Sequence, residues 1–166
     1  MKIRLHLEAE EGRGYSFQLW SQSQIESSDS FNEDQKHLLI ESLASPARFN
    51  ERFSPVLEAI NYYDEASGQD VHLDVVRGGD GAPNNESLSA EVRKSRAASE
   101  ALELTFSGSI DIEADNQALE ALQENIDSID YYPYFQSSDG TFMISSDEGY
   151  ELVHNYNIPF TVEVLD

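Results

Sequence analysis

The chain has 166 residues, about the length of one domain, and contains eight Phe, eight Tyr and one Trp. This content is too apolar and aromatic for a wholly disordered acidic chain, so we expect a folded protein. The absence of cysteine excludes disulfides, thiolate zinc sites and cysteine nucleophiles. Ten basic residues face 32 acidic ones, and the net charge of −22 argues against direct binding to nucleic acid or anionic membranes.

The charge is distributed unevenly along the chain. Residues 1–50 carry a net charge of −3 and residues 51–100 a net charge of −5. Residues 101–166 contain fourteen acids and no lysine or arginine, and Arg96 is the last cation. An ordinary surface mixes both signs to relieve repulsion, so this asymmetry favours a functional explanation.

The first third of the chain predicts two strands followed by two helices. Alternating apolar residues at 2–7 and 15–19 predict a β-hairpin with a loop of more than two residues. Helical spacing predicts a helix over 33–44, with Asn32 as its N-cap, and a second helix over 47–65 that is kinked or restarted at its internal proline.

The middle of the chain predicts a strand, a loop and a helix. Residues 71–76 alternate as a strand does, and 77–85 form a glycine-rich loop. Residues 86–100 are interpreted as helical and hold the one tight basic cluster, Arg93, Lys94 and Arg96.

The most regular pattern lies after residue 101. Apolar and polar residues alternate from 102 to 114, which predicts a long strand with a bulge or bend at Gly108. Asp115 or Asn116 is then expected to cap a helix that buries a stripe of four residues, namely Leu119, Leu122, Ile126 and Ile129.

The C-terminal region predicts an aromatic connector over 131–135, a short strand at 142–144 and a terminal strand at 158–164. The fold class is predicted to be α+β, with a mostly antiparallel sheet of about five to seven strands and three to four helices. Residues 1–166 are expected to form a single domain, and the 78–86 loop is a candidate division between two subdomains.

No catalytic or metal-binding motif is found. Residues 111–115 resemble the start of a calcium loop but lack its glycine and its final acid, and they alternate as a strand. The four histidines are dispersed, and neither a G-x-S-x-G elbow nor a P-loop is present. We therefore expect no enzyme activity, no metal and no cofactor.

The acidic residues form the remaining candidate site. Asp111, Glu113 and Asp115 recur at every second strand position, about 6.7 Å apart. On the following helix, acids recur at about one-turn spacing; they are Glu120, Glu124 and Asp127. Such rows can imitate the phosphates of a duplex, and three neighbouring tyrosines are candidate anchors for a protein partner; they are Tyr131, Tyr132 and Tyr134.

In size and composition the chain resembles the DNA-mimic inhibitors that phages and plasmids use against restriction or CRISPR nucleases. We expect a non-enzymatic inhibitor that blocks the groove of a basic nucleic-acid-binding protein, in the cytoplasm of a microbe or of a viral host. One alternative is an immunity or antitoxin-like protein that neutralises a basic nuclease toxin. Another is an ordinary domain of a salt-adapted organism. The oligomeric state is left open, a homodimer included.

Overall fold

The computed structural model describes residues 1–9, 14–94, 101–124, 129–146, 148–156 and 158–165, with the backbone alone for 154–156. These residues form two mostly antiparallel sheets and four helices, so the predicted α+β class is confirmed. The elements in chain order are β1 (Lys2–Leu7), β2 (Gly14–Leu19), α1 (Gln22–Ser27), α2 (Glu33–Ser42), α3 (Pro46–Arg52), β3 (Phe53–Asp64), β4 (Gln69–Asp74), β5 (Leu88–Lys94), β6 (Leu102–Glu113), α4 (Asn116–Gln123), β7 (Ile129–Ser137), β8 (Met143–Ile144), β9 (Tyr150–Tyr156) and β10 (Phe160–Val164).

The long strand β6, predicted correctly, is the centre of the six-stranded sheet A. Strand β1 pairs with its C-terminal half and β2 with its N-terminal half, both antiparallel and along the same edge. The two strands therefore run in the same direction, one after the other, and the predicted β1–β2 hairpin is wrong. The physical reason is that β6 is long enough to pair with both strands in succession.

The edge of sheet A repeats this arrangement. Strand β9, which the sequence pattern did not reveal, pairs with β2, and the predicted terminal strand β10 pairs with β1. The Glu8 amide donates to the Pro159 carbonyl at 3.0 Å between the two pairs. Each pair of collinear strands thus acts as one interrupted long strand.

Strand β5 pairs with the opposite edge of β6, so the helix predicted over 86–100 is wrong for residues 88–94. The apolar residues Leu88 and Val92 are four positions apart, a spacing that a helix and a strand both allow. The pairing also sets Arg93 opposite the buried Glu103, with Nη2 and Oε1 3.9 Å apart. Residues 95–100, with Arg96, lie outside the described residues.

Gly108, which was predicted to mark a bulge or a bend within β6, has an unusual backbone conformation while the pairing register of β6 continues through it. Its φ is +100°, and a Cβ atom at this position would collide with the backbone carbonyl of Ser87. Gly108→Ala is therefore expected to destabilise the protein by about 1–3 kcal/mol, because an L-residue is strained at this φ. Urea unfolding measures this loss. Ser107→Ala on the same strand is the control, and an equal loss in both variants would contradict the backbone explanation.

Sheet B has the strand order β4-β3-β7-β8, and one of its strands was predicted to be helical. Residues 53–64, predicted as part of a helix, form β3, and only α3 is helical in that region. A bulge between Leu57 and Ala59 inserts one residue, so the buried Phe53, Leu57 and Ile60 acquire the spacing of a helix. The Asn85 side chain bonds both the amide and the carbonyl of Leu57, at 2.8 and 3.1 Å, and stabilises the bulge.

The aromatic segment predicted as a connector is instead part of β7. Strand β7 buries alternate residues beginning at Ile129, which was wrongly placed in the preceding helix. Helix α4 ends earlier, at Gln123, and Ile126 lies outside the described residues. The predicted N-cap is correct, since the Asp115 side chain accepts from the Ala118 amide.

The predicted cap of α2 is also correct, because the Asn32 side chain accepts from the Gln35 amide at 2.9 Å. None of the helices in the described ranges is long and apolar enough to cross a membrane.

The core lies between the facing sheets and is rich in aromatic rings. Phe135 on β7 contacts Phe17 on β2, Phe49 on α3 and Tyr150 on β9, with ring centroids 4.9, 5.0 and 5.5 Å apart. Because these partners come from both sheets and a helix, the cluster holds the layers of the domain together.

The turn after β7 is held by Asp139. Its carboxylate accepts from the Thr141 hydroxyl at 2.7 Å, the Thr141 amide at 3.0 Å and the Ser137 hydroxyl at 2.8 Å. These bonds, the Thr141 hydroxyl first, lower the pKa of Asp139.

The lowered pKa predicts a stability difference that depends on pH. The ionised carboxylate stabilises the fold above its unfolded-state pKa of about 3.9, and this contribution disappears as the pH falls through the lower folded-state value. Asp139→Asn should therefore be less stable than the parent protein at pH 7, with a gap that narrows below about pH 4. Thermal unfolding across this range measures the gap, and a gap that widened in acid would contradict the assignment.

Candidate protein-binding surface

Two of the six acids predicted for the acidic rows accept hydrogen bonds within the fold. Asp111 accepts from Nε of Arg4 at 2.8 Å and from Nη2 at 3.2 Å, and this hydrogen bonding raises the pKa of Arg4. Asp115 accepts from the Ala118 amide at 2.8 Å as the cap of α4. Structural roles therefore account for both carboxylates.

Strand β1 supplies positive charge to the cation-free C-terminal half. Lys2 lies opposite Glu113 in the register of sheet A, and the Met1 amine lies 3.9 Å from Glu113 Oε2. On the other side of β1, Arg4 Nη1 lies 4.0 Å from Glu163 Oε2. The charge asymmetry of the sequence is thus partly compensated on sheet A.

The described acids of α4 are exposed. Glu120 lies towards the end of the helix and Glu124 is its C-cap. Negative charge at this end opposes the helix dipole, at about 0.3–1 kcal/mol for each group, so helix stability does not explain these acids. Asp127 lies outside the described residues. A binding role for Glu120 and Glu124 stays a prediction.

The three predicted tyrosines have different environments. Tyr131 is 3% exposed, donates its hydroxyl to the Ile158 carbonyl at 3.2 Å and belongs to the core, where burial raises its pKa. Tyr132 points to the opposite face of β7 and is 46% exposed. Tyr134 is half-buried on that same outer face. Only two of the three are therefore placed for contact with a partner.

The outer face of sheet B brings acids and tyrosines together across three strands. Tyr63 on β3 is 51% exposed and lies opposite Asp70 on β4. Ala59 separates Tyr132 from Asp74, and its small side chain leaves the ring of Tyr132 room against His72. We call this surface the acid–tyrosine face, and its residues are Glu58, Asn61, Tyr63, Asp70, His72, Asp74, Asp130, Tyr132 and Tyr134.

A series of close polar contacts crosses the acid–tyrosine face. The amide nitrogen of Asn61 donates to the Tyr132 hydroxyl at 3.2 Å, and its oxygen lies 2.8 Å from Nδ1 of His72. Nε2 of His72 lies 2.9 Å from an oxygen of Asp74. Asn61 and His72 thus connect Tyr132 on β7 with Asp74 on β4.

The acid–tyrosine face is negative because β3, β4 and β7 contain no lysine or arginine. Burial and then the nearby Glu58 raise the pKa of Tyr134, while Arg77, beyond the end of β4, opposes this effect. Carboxylates therefore dominate the face, and Arg77, which acts on Tyr134, lies outside its strands. Neighbouring strands lie about 4.8 Å apart, so the acids form a two-dimensional array.

Sequence reasoning missed most of this surface. Glu58 and Tyr63 were hidden because β3 has the apolar spacing of a helix. Asp74 was detectable on the polar side of the predicted strand over 71–76, and Asp70 lies just before it, but nothing local indicated that this side stays uncovered.

The described residues contain no group of three His, Asp or Glu side chains placed to hold a metal ion. The arrangement instead offers carboxylates and phenol rings on a rigid sheet, which suits binding to a basic surface. Comparison with protein-family models, curated proteins and solved structures finds no match to this chain.

Proposed function

We propose that this protein is a non-enzymatic inhibitor that occupies the nucleic-acid-binding groove of a basic defence protein, such as a restriction or CRISPR nuclease, in the host cytoplasm. The observation that carries the proposal is the acid–tyrosine face, a sheet surface with four acids and no lysine or arginine on its strands. The net charge of −22 adds a long-range attraction towards basic partners.

The physical basis is competition with phosphate. A protein that binds DNA places Lys and Arg where a regular array of negative charge will lie. On β4 the carboxylates of Asp70 and Asp74 lie four residues apart, about 13 Å along the strand, and the sheet holds their backbone in place. A rigid acidic surface therefore loses little entropy when it occupies the groove.

The tyrosines favour a second candidate, an immunity-type protein that neutralises one nuclease toxin. A phosphate mimic needs charge alone, whereas exposed rings such as Tyr63 and Tyr132 suit a partner with matching pockets. Both candidates use the same face, and they differ in whether one target or a class of DNA-binding proteins is blocked.

A displacement assay tests the proposal. Labelled duplex DNA is bound to a panel that contains a restriction endonuclease, a CRISPR effector nuclease and a toxin nuclease domain, and its release is followed by fluorescence anisotropy. We expect release from at least one panel member, with at least tenfold weaker inhibition at about 0.3 M than at about 0.05 M salt. Release from the toxin domain alone supports the immunity-type function. Retention of DNA by the whole panel, or inhibition indifferent to salt, would contradict the electrostatic mechanism.

A further inference from the structure

A groove of about 410 Å³ lies on one side of the domain, between the edges of the two sheets. One wall is β7, from Asp130 to Pro133, and the other is β9, at Glu151 and Leu152. Tyr15 also lines the groove, and its side chain is buried. The volume falls within the range of sites that hold small ligands or short peptide segments.

The two walls differ in their capacity to pair with another strand. In β7, Pro133 has no amide hydrogen, and its carbonyl accepts from the Tyr150 hydroxyl at 3.1 Å. In β9, pairing with β2 uses one side, and among the described residues no strand pairs with the other side. An added strand would therefore extend sheet A along β9.

The β9 edge is only partly protected against such pairing, since it contains no lysine or proline but has a bulge at Val153, where its register with β2 shifts. Exposed edges commonly carry lysine, proline or inward-pointing charges. Here Leu152 is 47% exposed and Val153 is 39% exposed, although both are large apolar residues. Apolar side chains beside an unpaired backbone favour contact with another chain.

The charges around the groove indicate the kind of chain it would accept. Asp130 on one wall and Glu151 on the other are acidic, and Glu148 precedes β9 and is exposed. No lysine or arginine is found among the described residues that line the groove. A second copy of this protein would bring another net charge of −22 to this edge, so repulsion disfavours self-pairing.

We propose that this groove binds an extended basic segment of the partner, which adds to sheet A as a strand along β9. Residues 151 and 152 point to opposite faces of the strand, so a segment that alternates basic and apolar residues meets Glu151 on one face and Leu152 on the other. This inference rests on the proposed function, because it assigns a basic segment to the same partner.

A peptide titration of the whole protein tests the groove without knowledge of the partner. The probe is an acetylated, amidated octapeptide of alternating Arg and Val, and backbone amide shifts are followed by NMR. We expect saturable shifts of the amides at 129–132, 134 and 150–153, and at least tenfold weaker binding of the matching Glu–Val peptide. N-methylation of alternate amides of the Arg–Val peptide should also weaken its binding at least tenfold, because strand addition needs those amides.

Matched variants locate the binding. Leu152→Lys, at an exposed position, should weaken binding of the Arg–Val peptide at least tenfold, because it replaces an apolar contact with a cation that repels arginine. Val164→Lys, on the same sheet edge but on β10, should change the binding less than twofold. Circular dichroism checks that both variants are folded. Equal weakening by both variants, equal binding of the N-methylated peptide, or shifts confined to the acid–tyrosine face would overturn the proposal. A dimer of the parent protein in sedimentation that is lost in Leu152→Lys would also overturn the proposal, in favour of a second copy.

Different results would overturn the proposed inhibitor function and the proposed binding of a strand in the groove. DNA displacement without peptide binding would overturn the groove and leave the inhibitor function standing. Peptide binding in the groove without displacement of DNA from any panel member would support strand addition and overturn the assignment to a nucleic-acid-binding partner.

Discussion

Phe135→Ala is expected to lower the free energy of unfolding by about 3–5 kcal/mol, enough to unfold a large share of a marginally stable domain. Phe135 is fully buried and its ring lies 4.9 Å from Phe17 in the opposing sheet. Removing the ring leaves a cavity bordered by β2, α3 and β9 at once. The surrounding elements come from both layers, so none can move inward without disturbing another.

Urea unfolding followed by tryptophan fluorescence measures this loss. Tyr132→Ala is the matched control, because it removes an aromatic ring from the same strand on the exposed face, and we expect it to cost about 1 kcal/mol or less. Comparable losses in the two variants would show that the aromatic cluster is not the junction between the sheets.

Neutralising three acids of the acid–tyrosine face should weaken inhibition about 100-fold. The variant combines Glu58→Gln, Asp70→Asn and Asp74→Asn. An exposed ion pair contributes up to about 1 kcal/mol, so three together contribute about 3 kcal/mol, and each 1.4 kcal/mol is a factor of ten in affinity. The inhibition constant for DNA release, measured on the panel member that responds, reports the loss directly.

A control with the same loss of charge separates the face from the overall field. Glu8→Gln, Glu26→Gln and Glu91→Gln remove three exposed acids from sheet A elements and α1. We expect this control to weaken inhibition less than about fivefold, mainly through slower association. If both triple variants lost the same potency, overall charge and not the face would be responsible. Unchanged potency in both would exclude an electrostatic mechanism.

The elements that sequence predicts well are those whose evidence is local. In the sequence of β6, apolar and polar residue types alternate along the whole strand. The Asn32 cap of α2 lies three residues from the amide that it bonds. Strand β3 shows the opposite case. Its identity depends on a bulge that is visible only when β7 is paired beside it, and one inserted residue changes a strand pattern into a helical one.

The acidic character of the candidate site was predicted from the sequence, but most of the residues that form it were not. Composition predicted an acidic surface that binds a basic partner, and Tyr132, one of the predicted binding residues, lies exposed on β7. Asp111 was selected for its position in a row, yet its carboxylate is bound by an arginine 107 residues away in the chain. No local pattern reveals such a partner, because strand order is set by packing of the whole sheet.

The collinear strands of sheet A also determine how the protein folds. His6 contacts Glu163 across 157 residues, and β1 cannot be enclosed on both sides until β6 and β10 have joined it. Contacts between such distant segments give a high contact order, for which folding takes milliseconds to seconds. Until that closure, β1 presents two unpaired edges, and the dense negative charge of the chain then has a second benefit, since it keeps partly folded copies apart.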